Sequence, residues 1–199
     1  MNSNDIFFQG NCTEVYFETI KCDDFEVYNL EYHKNRMADT VGLNFNLEEY
    51  IYPPDEKLYR CKVLYNEEEI IDIQYHPYTQ KIQKTFKLIY DNIITYKYKS
   101  TNRDKLDKLF EKTEGCDDII IVTNGLLTDT TIANIAVKLD GVWYTPKTPL
   151  LKGTTRARLL ESKKLVEKDI DIEFLKKADK FALMNAMIDF KIIEDFSIN

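Results

Sequence analysis

Apolar and polar residues alternate along Val15 to Lys21 (VYFETIK), and Phe25 to Asn29 (FEVYN) follows across Cys22-Asp23-Asp24, which predicts a short hairpin. Glu31 to Ala38 (EYHKNRMA) has helical character and sets His33 and Arg36 three apart, on one side of a turn. Pro53-Pro54, within Asn44 to Lys57, can continue neither a helix nor a central strand, so that stretch is a loop or a corner. Four β-rich runs come next: Leu58 to Tyr65, Ile70 to Tyr75, Lys84 to Tyr90 and Ile93 to Lys97. The short breaks between them predict an antiparallel sheet in the first half of the chain.

The second half has a different rhythm. Asn102 to Thr113 places Leu106, Leu109 and Phe110 at helical spacing, with charges on the other face. Asp118 to Val122 (DIIIV) reads as a buried strand, closed by a tight turn at Asn124-Gly125. Ile132 to Leu139 and Val142 to Thr145 flank Asp140-Gly141 as a second hairpin. Thr154 to Lys163 is a helix, Asp171 to Ala178 a short one, and Phe181 to Met184 and Lys191 to Phe196 are strands. The pattern predicts an α+β or mixed α/β fold in two lobes: an antiparallel α+β lobe over residues 1–98 and a β-rich lobe with helices over 99–199.

Charge narrows the function classes. Lys and Arg total 27 against 34 Asp and Glu, a net charge of -7, so a general attraction to nucleic acid is excluded. No apolar run is long enough to span a bilayer, and the first residues, MNSNDIFFQGN, lack a basic region followed by an apolar one. No membrane association and a cytoplasmic location are expected. Cys12, Cys22, Cys61 and Cys116 lack metal-binding spacing, so reduced structural thiols and no metal site are expected. With six glycines and no G-x-G-x-x-G or P-loop pattern, a glycine-rich nucleotide loop is excluded as well.

A few residues could carry chemistry. Gly153-Thr154-Thr155 at a helix start offers free N–H groups, hydroxyls and the positive end of the helix dipole, which suit a phosphate; an ordinary threonine cap is the plainer alternative. Lys99 ends an apolar run, where partial desolvation would favour the neutral, nucleophilic amine over a solvated ammonium. Asp129 lies between two threonines and serves either as a turn residue or as the partner of a ring nitrogen. Arg36 has a fork suited to phosphate, and His33 reads as a packed orienter of its neighbours.

Taken in order, these pieces resemble the class IV, fold-type IV, pyridoxal-phosphate enzymes: branched-chain and D-amino-acid aminotransferases and aminodeoxychorismate lyase. The resemblance covers Phe17 to Ala186. Phe17-Glu18-Thr19 resembles the family's F-E-T strand and His33-x-x-Arg36 its H-x-x-R element. Lys99-Ser100-Thr101-Asn102-Arg103 resembles the K-x-x-N-R lysine segment of lyase-type members. Thr128-Asp129 with Asn134 resembles T-E with an asparagine five residues after the acid. Tyr144-Thr145-Pro146 and Leu151-x-Gly153-Thr154-Thr155-Arg156 resemble the T-P and L-x-G-x-T-R signatures, and Asn185-Ala186 resembles the last phosphate-side contact.

The resemblance implies pyridoxal 5'-phosphate as cofactor, with Lys99 as the catalytic lysine that carries it and moves the substrate proton. It implies that Asp129 pairs with the pyridine nitrogen and that Arg36, Thr154, Thr155 and Asn185 hold the phosphate. Asn134, Gly153 and Ala186 complete the implied cofactor site. A small-molecule amino substrate and a homodimer are implied too. Asp129 departs from the family's glutamate by one methylene, and the chain is shorter than typical members. Asp104 occupies the place of the aminotransferase tyrosine, which leans toward the lyase, 4-amino-4-deoxychorismate to pyruvate and 4-aminobenzoate. An amino-acid aminotransferase and a catalytically degenerate binding protein are the alternatives.

Overall fold

The computed structural model describes residues 13–81 and 83–199. Cys12 and the stretch read for targeting lie outside them. Strand β1 (Tyr16–Asp23) turns into the short β2 (Glu26–Val27) and then helix α1 (Leu30–Val41), which ends at Gly42 in the left-handed conformation with its N–H on the Ala38 carbonyl. Strands β3 (Tyr59–Tyr65) and β4 (Ile70–Pro77) complete an antiparallel sheet of order β2-β1-β3-β4. The alternation in β1 is real: Tyr16, Glu18, Ile20 and Cys22 point inward. Tyr16, Ile20 and Cys22 pack with Met37 of α1 and with Cys61, Val63 and Tyr65 of β3. Phe17 and Thr19, with Arg60 and Lys62, are left on the other face.

Strand β5 (Thr85–Tyr90) does not join this sheet, contrary to the expectation of four consecutive antiparallel strands. It runs parallel to β6 (Asp118–Thr123) and to β13 (Ser197–Ile198), with β7 (Leu126–Leu127) beyond β6. The strands of the second half therefore begin at Thr85, ahead of residue 99. Ile93 to Lys97 forms no strand either. Asp91 Oδ1 accepts the N–H groups of Ile93 and Ile94 at 2.9 and 2.8 Å, and those donors are lost to any ladder.

Helix α2 (Asp104–Phe110) follows, extended by a 3-10 turn over Glu111–Thr113. The remaining sheet has the order β10-β9-β8-β11-β12: β8 (Asn134–Leu139), β9 (Val142–Pro146), β10 (Val166–Lys168), β11 (Lys180–Asn185) and β12 (Asp189–Ile193). Helices α3 (Thr154–Glu161) and α4 (Ile172–Lys176) are set among these strands. The β8–β9 turn uses Asp140 and Gly141 at φ 50° and 82°, the conformation a two-residue hairpin turn requires.

The two C-terminal sheets close on one core of Phe86, Ile120, Ile135, Val137, Phe181 and Leu183. Alternation sends the intervening residues to the outer layers. Ile119 and Ile121 meet Leu106 and Leu109 of α2, while Ala136, Ala182 and Met184 meet Leu159 of α3. Strand β6 is thus covered on both faces, which is why its sequence is one continuous apolar run. The whole is the expected mixed α/β architecture, dominated by strands. Among the described residues no helix is long and apolar enough to cross a membrane, and Cys22, Cys61 and Cys116 are free thiols.

Candidate active site

A cavity of about 390 Å³ opens between the outer face of the first sheet, the start of α3 and the ends of β8 and β11. Arg36, Lys99, Asp129, Asn134, Gly153, Thr154, Asn185 and Ala186 all line it. Thr155 does not. It faces inward one position further along α3, where its hydroxyl is buried without a hydrogen-bond partner among the described residues.

Lys99 is placed by main-chain bonds to β1. Phe17 donates its N–H to the Lys99 carbonyl at 2.8 Å, and Thr101 donates to the Val15 carbonyl at 2.9 Å. The amine lies 4.4 Å from the centroid of the Phe17 ring. Burial pulls its pKa from 10.5 down to about 7, and the nearby Arg36 guanidinium pushes in the same direction. Near neutral pH a large fraction of the amine is therefore unprotonated.

Asp129 is placed by β6, since Ile121 donates to the Asp129 carbonyl at 2.9 Å. Its Oδ1 accepts from Asn134 Nδ2 at 2.6 Å and its Oδ2 from the Leu151 N–H at 2.9 Å. Burial still dominates and raises its pKa from 3.8 to about 6, against the pull of those two donors. Asn134 is a strut: Nδ2 also donates to the Leu151 carbonyl at 2.8 Å, while Oδ1 accepts the Gly153 N–H at 3.1 Å. One amide thus fixes both the acid and the turn that opens α3.

That turn tolerates nothing larger than glycine at 153, because an added Cβ would come within 2.0 Å of Asn134 Oδ1. Gly153→Ala must swing the amide away and give up its bonds. We expect a loss of about 1–3 kcal/mol in stability, read by denaturant unfolding. Adding Asn134→Ala should recover part of it. Wild-type stability in the single variant would mean the amide is not pinned as described.

Arg36 reaches the cavity from α1 and is held from behind. Its Nε donates to Glu18 Oε1 at 2.9 Å and its Nη2 to Glu18 Oε2, while His33 Nδ1 lies 2.6 Å from the same oxygen. Arg36 Nη1 also reaches the Lys152 carbonyl at 3.5 Å, tying α1 to the α3 turn. Burial alone would raise the Glu18 pKa, but the Arg36 charge and the His33 contact outweigh it and bring it down to about 2. Burial lowers the pKa of His33, and its Nε2 has no partner among the described residues. His33 is an orienter in this geometry.

Beside Arg36, α3 presents the N–H groups of Thr154, Thr155 and Arg156. The first bond closing the helix is donated later, by Ala157 to the Gly153 carbonyl at 2.9 Å. Arg156 itself is buried away from the cavity and fastens α3 to the Pro146 carbonyl and Glu167 at 2.9 and 2.6 Å. Asn185 is also committed: Nδ2 donates to the Ile132 carbonyl at 3.2 Å, and Oδ1 accepts from Met187 and Ile188.

Glu18 is the residue that sequence reasoning named without assigning a role. Its signal was parity, since a carboxylate at the inward positions shared by Tyr16, Ile20 and Cys22 must have a buried partner. Arg60, Lys62 and Tyr78 also line the cavity and were not anticipated, and Arg103, named only within the K-x-x-N-R segment, lines it too.

Residues 70–194 match the family described as Amino-transferase class IV. The chain belongs to this family. A Haemophilus influenzae protein of uncharacterized function is 35% identical over 182 residues, covering 86% of this chain and 96% of its own. A crystal structure from Haemophilus somnus 129pt, of a protein for which 4-amino-4-deoxychorismate lyase activity is proposed, is 34% identical. It covers 87% of this chain and 96% of its own, with a TM-score of 0.81. The PLP-bound form of a hypothetical aminotransferase from Mycobacterium tuberculosis is 13% identical and shares the fold, with a TM-score of 0.75 over 94% of this chain and 81% of its own. As a class IV aminotransferase-family member the chain is an enzyme, with the fold-type IV architecture its sequence resembled.

Proposed function

We propose that the chain is a pyridoxal 5'-phosphate-dependent enzyme whose reaction is elimination of pyruvate from 4-amino-4-deoxychorismate, giving 4-aminobenzoate. The observation that carries the reading is that Lys99 and Asp129 face one cavity, an amine poised near pKa 7 and a buried acid near pKa 6. The residues fit the cofactor. Lys99 has a destabilised ammonium to condense with an aldehyde, Asp129 offers an anion to a protonated ring nitrogen, and Arg36 with the open N–H groups of α3 suits a phosphate.

When bound, the cofactor supplies an electron sink for the pair left at the substrate carbon as its proton departs. The protein does the rest. Lys99 Nζ, neutral in a large fraction near pH 7, takes the proton from the carbon that bears the substrate amine and can return it elsewhere. Asp129, held on Asn134 and the Leu151 N–H, keeps its carboxylate aimed into the cavity. Glu18 and His33 hold Arg36 in place from outside. The lyase activity proposed for the Haemophilus somnus relative supports the lyase, as does Asp104, which begins α2 at the place of the family's aminotransferase tyrosine. A homodimer in the cytoplasm completes the reading.

The test is direct. Protein purified with pyridoxal phosphate should be coloured, bleach with borohydride, and release pyruvate from 4-amino-4-deoxychorismate. Glutamate formed from an amino acid and 2-oxoglutarate, with no pyruvate release, would assign it to the aminotransferases instead. A colourless protein that takes up no cofactor would leave the degenerate binding protein.

A further inference from the structure

Strand β6 begins with a carboxylate that the chemistry above does not use. Asp118 is buried, and burial holds its pKa above the ordinary carboxylate value. Among the described residues no cation lies within ion-pair distance of it. The groups bonded to it are all donors. Its Oδ1 accepts the Ile119 N–H at 2.8 Å, the Thr131 hydroxyl at 2.7 Å and the Thr131 N–H at 3.4 Å, and its Oδ2 accepts from Gln83 Nε2 at 3.0 Å. An ionised carboxylate has acceptors only, so one side chain serves all four.

Those bonds close the far end of an irregular pairing. β6 and β7 run in step at first, with Thr123 opposite Leu126 and Val122 opposite Leu127. At Ile121 two residues stand opposite one. Thr128 donates to the Ile121 carbonyl at 2.9 Å, whereas Ile121 donates to the Asp129 carbonyl at 2.9 Å. In a regular antiparallel pair both bonds would join the same two residues, so this is a β-bulge. Leu127 points into the core with Phe86 and Ile120. Without the bulge, alternation would send Asp129, two residues on, into that same apolar core. With it, Asp129 reaches the cavity. Two residues past the bulge on each strand, Ile119 and Thr131 both give their N–H to Asp118 Oδ1, so this oxygen bridges the strands where the ladder ends.

We infer that Asp118 is a positioning residue for Asp129: by bridging Ile119 and Thr131 it fixes the out-of-step register that turns the Asp129 carboxylate away from the apolar core and into the cavity. The inference rests on the proposed function for the further point that Asp129 meets the cofactor ring. Asp118 does not itself line the cavity, and it acts through Thr131, which does. Removing its oxygens frees the far side of the bulge. The Leu151 N–H and Asn134 Nδ2, which donate to the Asp129 carboxylate, then lose their acceptor for part of the time.

Hydrogen exchange on the protein without cofactor reads the aim of Asp129 directly. The amides to follow are Leu151, which donates to Asp129 Oδ2, and Ile121, which donates to its carbonyl, with the amides of β11 as the reference for overall stability. In Asp118→Ala, exchange at both should rise roughly ten-fold or more relative to β11. Asp118→Asn keeps an oxygen for Thr131 and should retain most of the protection. Thr131→Val removes the hydroxyl alone and should give a smaller rise, and it carries the test if the Ala variant fails to fold. Affinity for pyridoxal phosphate should fall roughly ten-fold in Asp118→Ala and return in Asp118→Asn. Unchanged exchange at Leu151 in the Ala and Val variants, a rise matched at β11, or an Asn variant as open as the Ala one overturns the role. Unchanged cofactor affinity in a variant whose Leu151 amide has opened would count against the cofactor reading of Asp129 alone, because the exchange comparison needs no cofactor.

Discussion

If Lys99 carries the cofactor as proposed, Lys99→Met is expected to remove the coloured, borohydride-sensitive adduct and lower turnover by at least about 10³-fold, the combined loss of a covalent attachment point and a positioned base. The same substitution stabilises the protein without cofactor, which separates it from simple damage. The Lys99 pKa is about 7 in the fold against an ordinary 10.5. At pH values between these the unfolded chain binds more protons, so wild-type stability rises with pH across that window. The strain is complete below pH 7 and gone above 10.5. Lys99→Met should therefore raise the melting temperature most at pH 7 and below, and the gain should fade toward pH 10.5. A variant that keeps its colour would mean that another amine carries the cofactor, and a pH-independent gain would mean that the amine is not strained.

Glu18→Ala is expected to cost about 3–5 kcal/mol, because it leaves Arg36 and His33 beside an empty, buried space with no countercharge. Should that variant fail to fold, Glu18→Gln keeps the shape and removes only the charge. The Glu18 pKa is about 2 in the fold against an ordinary 4.5. Its contribution is fully present above pH 4.5 and is lost as pH falls toward 2. Wild-type unfolding free energy should therefore drop across that interval more steeply than that of Glu18→Gln. Cofactor affinity of the Gln variant should fall as well, since Arg36 loses the countercharge and one of the two oxygens that aim it. Unchanged affinity would show that Arg36 finds its place without them.

Strands, turns and the chemical residues differed in how far they could be read. Alternation in β1 and the positive-φ pairs Asp140-Gly141 and Asn124-Gly125 report local geometry, and both were legible. Alternation says which face is buried but not which strand lies alongside. Hence β5 was assigned to its sequence neighbours, although its partners are β6 and β13, the latter more than a hundred residues away. Ile93 to Lys97 is apolar enough for a strand, yet the Asp91 side chain takes its donors, a competition that composition does not reveal. Within the cavity, Lys99, Asp129, Arg36 and the α3 turn were found because their order along the chain is distinctive. Asn134 and Asn185 were read as cofactor contacts, whereas most of their bonding capacity is spent on the protein itself. Arg60 and Lys62 lie on an exposed-looking strand face, and only the fold turns that face inward over a cleft.

Strand β1 touches both ends of the chemistry. Phe17, and Val15 just before the strand, grip the backbone at the Lys99 carbonyl and the Thr101 N–H, and through Glu18 the strand sets Arg36. Because side chains alternate, a slip of one residue would bring the Glu18 carboxylate out beside the amine and drive the Phe17 ring in beneath α1. The two anchoring points are therefore gauged by a single ruler. Errors in its placement shift both together, so a misregistered molecule is wholly inactive rather than half-functional, and the fraction of active sites in a refolded sample doubles as a count of correctly aligned chains.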